Sequence, residues 1–365
     1  MKKSIFTALI LGLLICSQAA AQSSLLELNE AIRLFPNDVN NYIYRAKIYL
    51  IQGQFDLATR DLNEAIKLEP ENPWVYVERG LIYRAERKYN SAIRDYNEAI
   101  RLSSNYTFAY AALGEIYHLQ GQLDPAIENL NQAIRLDPNF LWAYQVRSDV
   151  YRMHCQFDYA LRDINEAIRI YPNNSYSYSI RGGINRELNQ LDSAVLDLNE
   201  SIRLDRTNIY ANIMRAEIFM IQGLYDMAIM DLYEAVKLDP GLPHIYQIRA
   251  EIYQKLNRHD LALSDFEMNI RLIAEAIRLN PDYYWNYSYR GRAFLLLEQY
   301  ELALRDVNEA IRLNPNHAWS YFFRGQIYKQ LGNIDQAVLD LQRALNLNPH
   351  LELAGKELEE ILPAP

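Results

Sequence analysis

Apolar and polar positions along the chain change in a cycle. In the stretch from Val39, Tyr42, Ala46 and Tyr49 take the fourth, eighth and eleventh places, a spacing that makes one face of a helix. A turn at Gly53 follows, and then Ala58, Leu62 and Ala65 repeat the one-face rule in a second helix. The phrase Asn-Glu-Ala-Ile-Lys-Leu ends that helix. Pro70 stops it, because the residue before a proline is pushed out of the helical region. The small residue at the eighth place predicts close approach of the second helix. Asp56, Asp124 and Asp158, just past the turn, are expected to cap that helix.

The cycle recurs to the end of the chain. Closing prolines stand at Pro36, Pro70, Pro138, Pro172, Pro240, Pro281, Pro315 and Pro349, with Ser104 and Arg206 in the two places where proline is missing. Frames begin at Val39, Pro73, Thr107, Leu141, Ser175, Ile209, Pro243, Tyr284 and Ala318. Every step between frames is 34 residues except the one from Pro243 to Tyr284, which is 41. There Ile270-Arg271-Leu272 and Ile277-Arg278-Leu279 write the same helix ending twice. Seven residues are nearly two turns, so the apolar face is lost by only about 20°. The insertion is expected to lengthen one helix and open no loop.

A period of 34 with these residues resembles the tetratricopeptide repeat family, over residues 24 to 349. The resemblance implies an all-α, right-handed superhelical solenoid of antiparallel helix pairs. Residues 24–38 are expected to form an N-terminal half repeat, 39–349 nine repeats, and 350–362 a capping helix. Atypical ends are needed because an ordinary terminal repeat would expose its stacking face.

Arginine holds the seventh place of eight frames: Arg45, Arg79, Arg147, Arg181, Arg215, Arg249, Arg290 and Arg324. Aspartate holds the twenty-third place of the same eight: Asp61, Asp95, Asp163, Asp197, Asp231, Asp265, Asp306 and Asp340. The third frame has Leu113 and Asn129 instead. Joint loss implies contact, since removing one partner of a buried pair costs far more than replacing both. The role is architectural. Arg60 with Glu64 and Arg94 with Glu98, each four apart, are ordinary solvated helix surface.

The second place is aromatic in most frames: Trp74, Phe108, Trp142, Tyr176, Tyr210, Trp285 and Trp319, with His244 in the seventh frame and Asn40 in the first. The second, fifth, ninth and twelfth places form a stripe rotated from the fourth, eighth and eleventh. In the family this stripe lines the concave groove that holds ligands. Its other members vary as a recognition surface should, with Glu115, Asp149, Glu217 and Glu251 at ninth places and Arg84, Arg152 and Arg186 at twelfth places. Aromatic side chains suit both binding surfaces and gap filling. The fifth places hold Ile43, Val77, Ala111 and Gln145, which lack the Lys and Asn of chaperone-tail clamps.

Charge and motifs narrow the partner. The chain has 37 Lys+Arg against 46 Asp+Glu, with the cations interspersed, a poor match for a phosphate backbone. Nucleic acid is not expected. The histidines (His118, His154, His244, His259, His317 and His350) show no metal-ligand spacing, and no glycine-rich phosphate loop exists, so neither cofactor nor catalysis is expected.

Lys2 and Lys3, the apolar run Ile5 to Cys16, and Ala19-Ala20-Ala21 before Gln22 match an export signal cut after Ala21. Ile15 is bulky where a lipobox wants a small residue before Cys16, so membrane attachment is expected only if Cys16 is lipidated. Residues 1–21 are thus expected to be a signal peptide and 22–365 an exported chain, periplasmic or secreted. The expected function is a scaffold that holds a partner peptide or helix in the groove. The rivals are a carbohydrate-binding module using the aromatic ladder and an assembly factor of an envelope complex.

Overall fold

The computed structural model describes residues 18–349 and 351–362. Residues 1–17 of the expected signal segment, Cys16 among them, lie outside the described residues. All the regular structure among the described residues is helical, in 20 elements. Two compact units divide the chain, Met1–Ile184 and Asn185–Pro365.

In the first unit, α1 (Gln18–Leu34) is followed by pairs of a 13-residue first helix and a 14-residue second helix. The pairs are α2 (Val39–Ile51) with α3 (Phe55–Leu68), α4 (Pro73–Ala85) with α5 (Tyr89–Leu102), α6 (Thr107–Leu119) with α7 (Leu123–Leu136), and α8 (Leu141–Met153) with α9 (Phe157–Ile170). The boundary between units falls within α10 (Ser175–Glu187).

The second unit continues with α11 (Leu191–Leu204). Its pairs are α12 (Ile209–Ile221) with α13 (Tyr225–Leu238), α14 (Pro243–Lys255) with α15 (His259–Leu279), α16 (Tyr284–Leu296) with α17 (Tyr300–Leu313), and α18 (Ala318–Gln330) with α19 (Ile334–Leu347). A shorter α20 (Glu352–Ile361) follows, with Leu351 and Ala354 buried against the preceding pair. The helix carrying the doubled Ile-Arg-Leu ending, α15, runs 21 residues without a break.

Sequential helices pack as antiparallel neighbours, and the eighth place makes their closest approach. A Cβ on Gly80 would lie 2.5 Å from the Tyr96 ring, and one on Gly114 would lie 2.5 Å from Leu130 Cγ. A first helix also packs against the first helix of an adjacent repeat, as α6 with α8 and α16 with α18. It therefore buries two flanks. Third and tenth places such as Ala109 and Ile116 form one flank, while fifth places such as Ile43, Ala111 and Gln145 form the other. This corrects the sequence pattern, which put the fifth place on the open stripe. A free helix would show it there; a helix with neighbours on both sides does not.

The capping expectation is also corrected. Gln54, Gln122 and Gln156 are the residues preceding the second helices, and they make no side-chain cap. Asp56, Asp124 and Asp158 sit inside the first turn, where a carboxylate favours the positive end of the helix dipole. True caps occur at first helices, where Asp38 and Asn72 accept from the amides of Asn40 and Trp74. Every frame turns through a left-handed residue at its fifteenth place. Gly53, Gly121, Gly223 and Gly332 hold it comfortably, while Arg87, Cys155, Asn189, Asn257 and Glu298 adopt it with side chains.

The seventh-place arginines are the staples of the stack. Arg147 donates through Nε and Nη2 to both carboxylate oxygens of Asp163, at 2.6 and 2.7 Å, and through Nη1 to Asn131 of the preceding repeat. The same three-way contact joins Arg79 to Asp95 and Asn63, Arg215 to Asp231 and Asn199, and Arg324 to Asp340 and Asn308. Tyrosines at the fourth and eleventh places flank the guanidinium, as Tyr76 and Tyr83 do at 5.8 and 5.7 Å from Arg79. The fourth-place hydroxyl then donates to the closing proline's carbonyl, 2.9 Å from Tyr76 to Pro70. Those tyrosines hold arginine; they are not the simple apolar face that the spacing implied.

Candidate functional site: the first-helix stripe

With both flanks buried, the second, ninth and twelfth places carry what is left of the expected stripe, and even there ninth-place Leu81 and Glu115 are buried. The aromatic second places lie at its edge. In the first unit, Trp74 packs on the core beside Ile43 and Val75, and its indole N–H donates to Glu78 at 2.7 Å. Lys47 completes that group, 2.7 Å from Glu78 and 5.0 Å from the Trp74 ring centre. Phe108 and Trp142 lie 5.0 Å apart and pack on the cores of consecutive repeats. Tyr176 is open, 39% exposed.

In the second unit Tyr210 is equally open, at 39%. Trp285 is half-buried in an aromatic group with Tyr289 at 5.4 Å and His317 at 4.2 Å. Trp319 packs beside Phe322 and Phe323. Burial lowers the pKa of His317 to about 4, so that ring is neutral and behaves as part of the aromatic group. The tryptophans are thus half-buried wedges between repeats, and the two tyrosines are the most exposed rings of the series.

The charged members of the stripe are paired across repeats. Arg84 donates to Glu115 at 2.6 Å, and Glu115 is buried. Asp149 is shared by His118 at 3.2 Å and Arg152 at 2.6 Å. In the second unit Glu217 accepts from Arg186 and lies 3.1 Å from His244. Burial pushes the Glu217 carboxyl up, yet His244 and Arg186 outweigh it and hold the group below the usual carboxylate range. Glu251 pairs with Arg292 at 2.8 Å.

Sequence reasoning missed Lys47, Glu78, His118 and Arg292 as members of this ladder. A detectable signal was present: a ninth or sixth place faces the preceding repeat's twelfth or ninth place, 31 residues back, as in Glu115 with Arg84. Prepaired charges leave the stripe neutral, with hydrogen-bonding capacity fixed in direction. Such a surface recognises by shape and ring contact more than by long-range attraction.

Among the described residues, no group of three or more His, Cys, Asp or Glu side chains could hold a metal ion. None of their helices is long and apolar enough to cross a membrane.

Comparison with known proteins agrees with this architecture. Models of the tetratricopeptide repeat match residues 46–85, 80–121 and 114–151, then 209–242 and 318–351. The latter two windows begin at the sixth and ninth frames. No curated protein matches the sequence. Among solved structures, a tetratricopeptide repeat protein from Parabacteroides merdae is 17% identical, with 70% of this chain and 98% of that chain covered and a TM-score of 0.51. Yeast Tom70 is also 17% identical, with 94% of this chain and 92% of that chain covered and a TM-score of 0.51. These likenesses speak to the fold. Together with the 34-residue period and the paired helices, the matches place the chain in the tetratricopeptide repeat family, whose members generally mediate protein–protein interactions and are typically non-catalytic.

Proposed function

We propose that this protein is an exported, non-catalytic scaffold that holds a peptide or helix from a partner protein along the open stripe of its first helices. The observation that carries the reading is the state of the second-place rings. Tyr176 in one unit and Tyr210 in the other stand open on that stripe, each 39% exposed. A rigid ring with a polar tip supplies contact area at low conformational cost, which is why tyrosine is enriched at binding surfaces. Export rests on Lys2, Lys3, the apolar run to Cys16 and Ala19-Ala20-Ala21. Mass spectrometry of the protein from its native host tests it, with Gln22 as the expected first residue and a lipidated Cys16 as the result that would make the protein membrane-anchored.

The binding reading is tested by selecting peptides from a displayed random library on residues 22–365, then mapping them by photo-crosslinking. Crosslinks are expected on first helices, near Tyr176 or Tyr210. Crosslinks confined to second helices would contradict the assignment. Failure to select any peptide, with clear binding on a glycan array, would favour the carbohydrate reading.

A further inference from the structure

The opposite face of the second unit breaks the repeat pattern. At the twenty-second place, on the outward side of the second helix, four frames carry exposed arginine, Arg60, Arg94, Arg162 and Arg305, and the ninth carries exposed Leu339. In the fifth and sixth frames that place holds Leu196 and Met230, 70% and 69% exposed. The change is not isolated. Met227, Met230 and Tyr233, three residues apart along α13, are all exposed, and so is Leu261 on α15 at the place equivalent to Met227. Five of the chain's seven methionines fall between Met214 and Met268. Methionine is flexible and polarizable, and it recurs on surfaces that mould themselves around an apolar partner. An exposed apolar row such as Met227, Met230 and Tyr233 is uncommon on a protein with nothing to bind there.

Charge identifies the occupant. Asp192, Asp226 and Asp260 stand exposed along one edge of the patch, one on each of three successive second helices. On the other edge Glu200 and Glu234 are matched by Arg203 and Lys237. With the twenty-second-place arginines gone, net negative charge collects on the aspartate edge. A second copy of this surface would set acid against acid, and an anionic lipid surface would be repelled in the same way. We propose that α11, α13 and α15 form a second docking surface, for an amphipathic helix of a partner whose apolar face is bordered by basic residues. Apolar contact supplies the attraction and the aspartates set the orientation.

The probe is a synthetic amphipathic peptide of leucine and lysine, about four turns long, with a leucine and glutamate peptide of the same pattern as its control. Fluorescence anisotropy with residues 22–365 at physiological salt is expected to show binding of the lysine peptide and none of the glutamate peptide. The double variant L196S/M230S removes apolar surface without changing charge, and it copies Ser264, the seventh frame's residue at that place. It should weaken binding about tenfold or more while leaving the thermal unfolding midpoint unchanged. The triple variant D192N/D226N/D260N should also weaken binding, most strongly at low salt. Undiminished binding by L196S/M230S would overturn the proposal, because the peptide would then be sensing only overall acidity. Self-association of the wild-type chain that L196S/M230S disperses would overturn it too, by assigning the patch to a second copy.

Discussion

The third and fourth repeats are neighbours in one unit, yet they are held together differently. The fourth uses Arg147, gripped by Asp163 and Asn131, and its eighth-place Ser148 donates to the Ala160 carbonyl at 2.8 Å. The third has buried Leu113 in place of arginine. Its Asn129 donates at 2.8 Å to the Pro125 carbonyl within its own helix, and Gly114 lets Leu130 press against the backbone. Both form the same helix pair. The guanidinium is therefore not what makes a repeat; it is what a buried aspartate requires. Once the aspartate becomes a self-satisfied asparagine, leucine fills the place as well or better.

The comparison is most easily broken at Arg147. Arg147→Leu alone leaves Asp163 buried without its bidentate partner and should cost about 3 kcal/mol in urea unfolding. Adding Asp163→Asn, which copies the third repeat, should return most of that loss. Strictly additive losses would show that the two side chains are not coupled.

Next in size is the packing difference. A methyl group added to Gly114 would meet Leu130 at 2.5 Å, so Gly114→Ala should destabilise by about 2 kcal/mol. No change would mean that the second helix can retreat and that the eighth place does not set the spacing.

The smallest effect is at the turns. Gly121 holds the left-handed residue of the third repeat at φ 74°, and Cys155 holds that of the fourth at φ 57°. Cys155→Gly should stabilise by about 0.5 to 1 kcal/mol, and Gly121→Cys should lose a similar amount, read as opposite shifts of the thermal midpoint. Equal shifts in the same direction would remove the conformational explanation.

Most of the fold was legible because each repeat writes its period independently, so one damaged position is outvoted by eight others. The contact of Arg147 with Asp163 could be inferred from the joint change to Leu113 and Asn129. The third member, Asn131, was not inferred, because it lies in the recurring Asn-Glu-Ala phrase, written Asn-Gln-Ala at this point, and does not vary in step with the arginine. The stripe was legible only in part. Helical angles place Gln145 beside Trp142, but they carry no information about the neighbouring helix that buries Gln145. The pairing of Glu115 with Arg84 needed a register between repeats as well as one within them. The apolar outer patch gave a sequence signal, Leu196 and Met230 where four other frames have arginine, that shows only when the frames are laid over one another.

In the proposed function, partners are held by exposed aromatic side chains on first helices, Tyr176 and Tyr210 foremost. Titration calorimetry of one library-selected peptide, against wild type and against Tyr176→Ala and Tyr210→Ala separately, tests this most directly. The variant in the unit that the peptide crosslinks should weaken binding about tenfold, with its thermal midpoint unchanged and the other variant unaffected. Affinity unchanged in both variants, or a loss of affinity that tracks a falling midpoint, would contradict it.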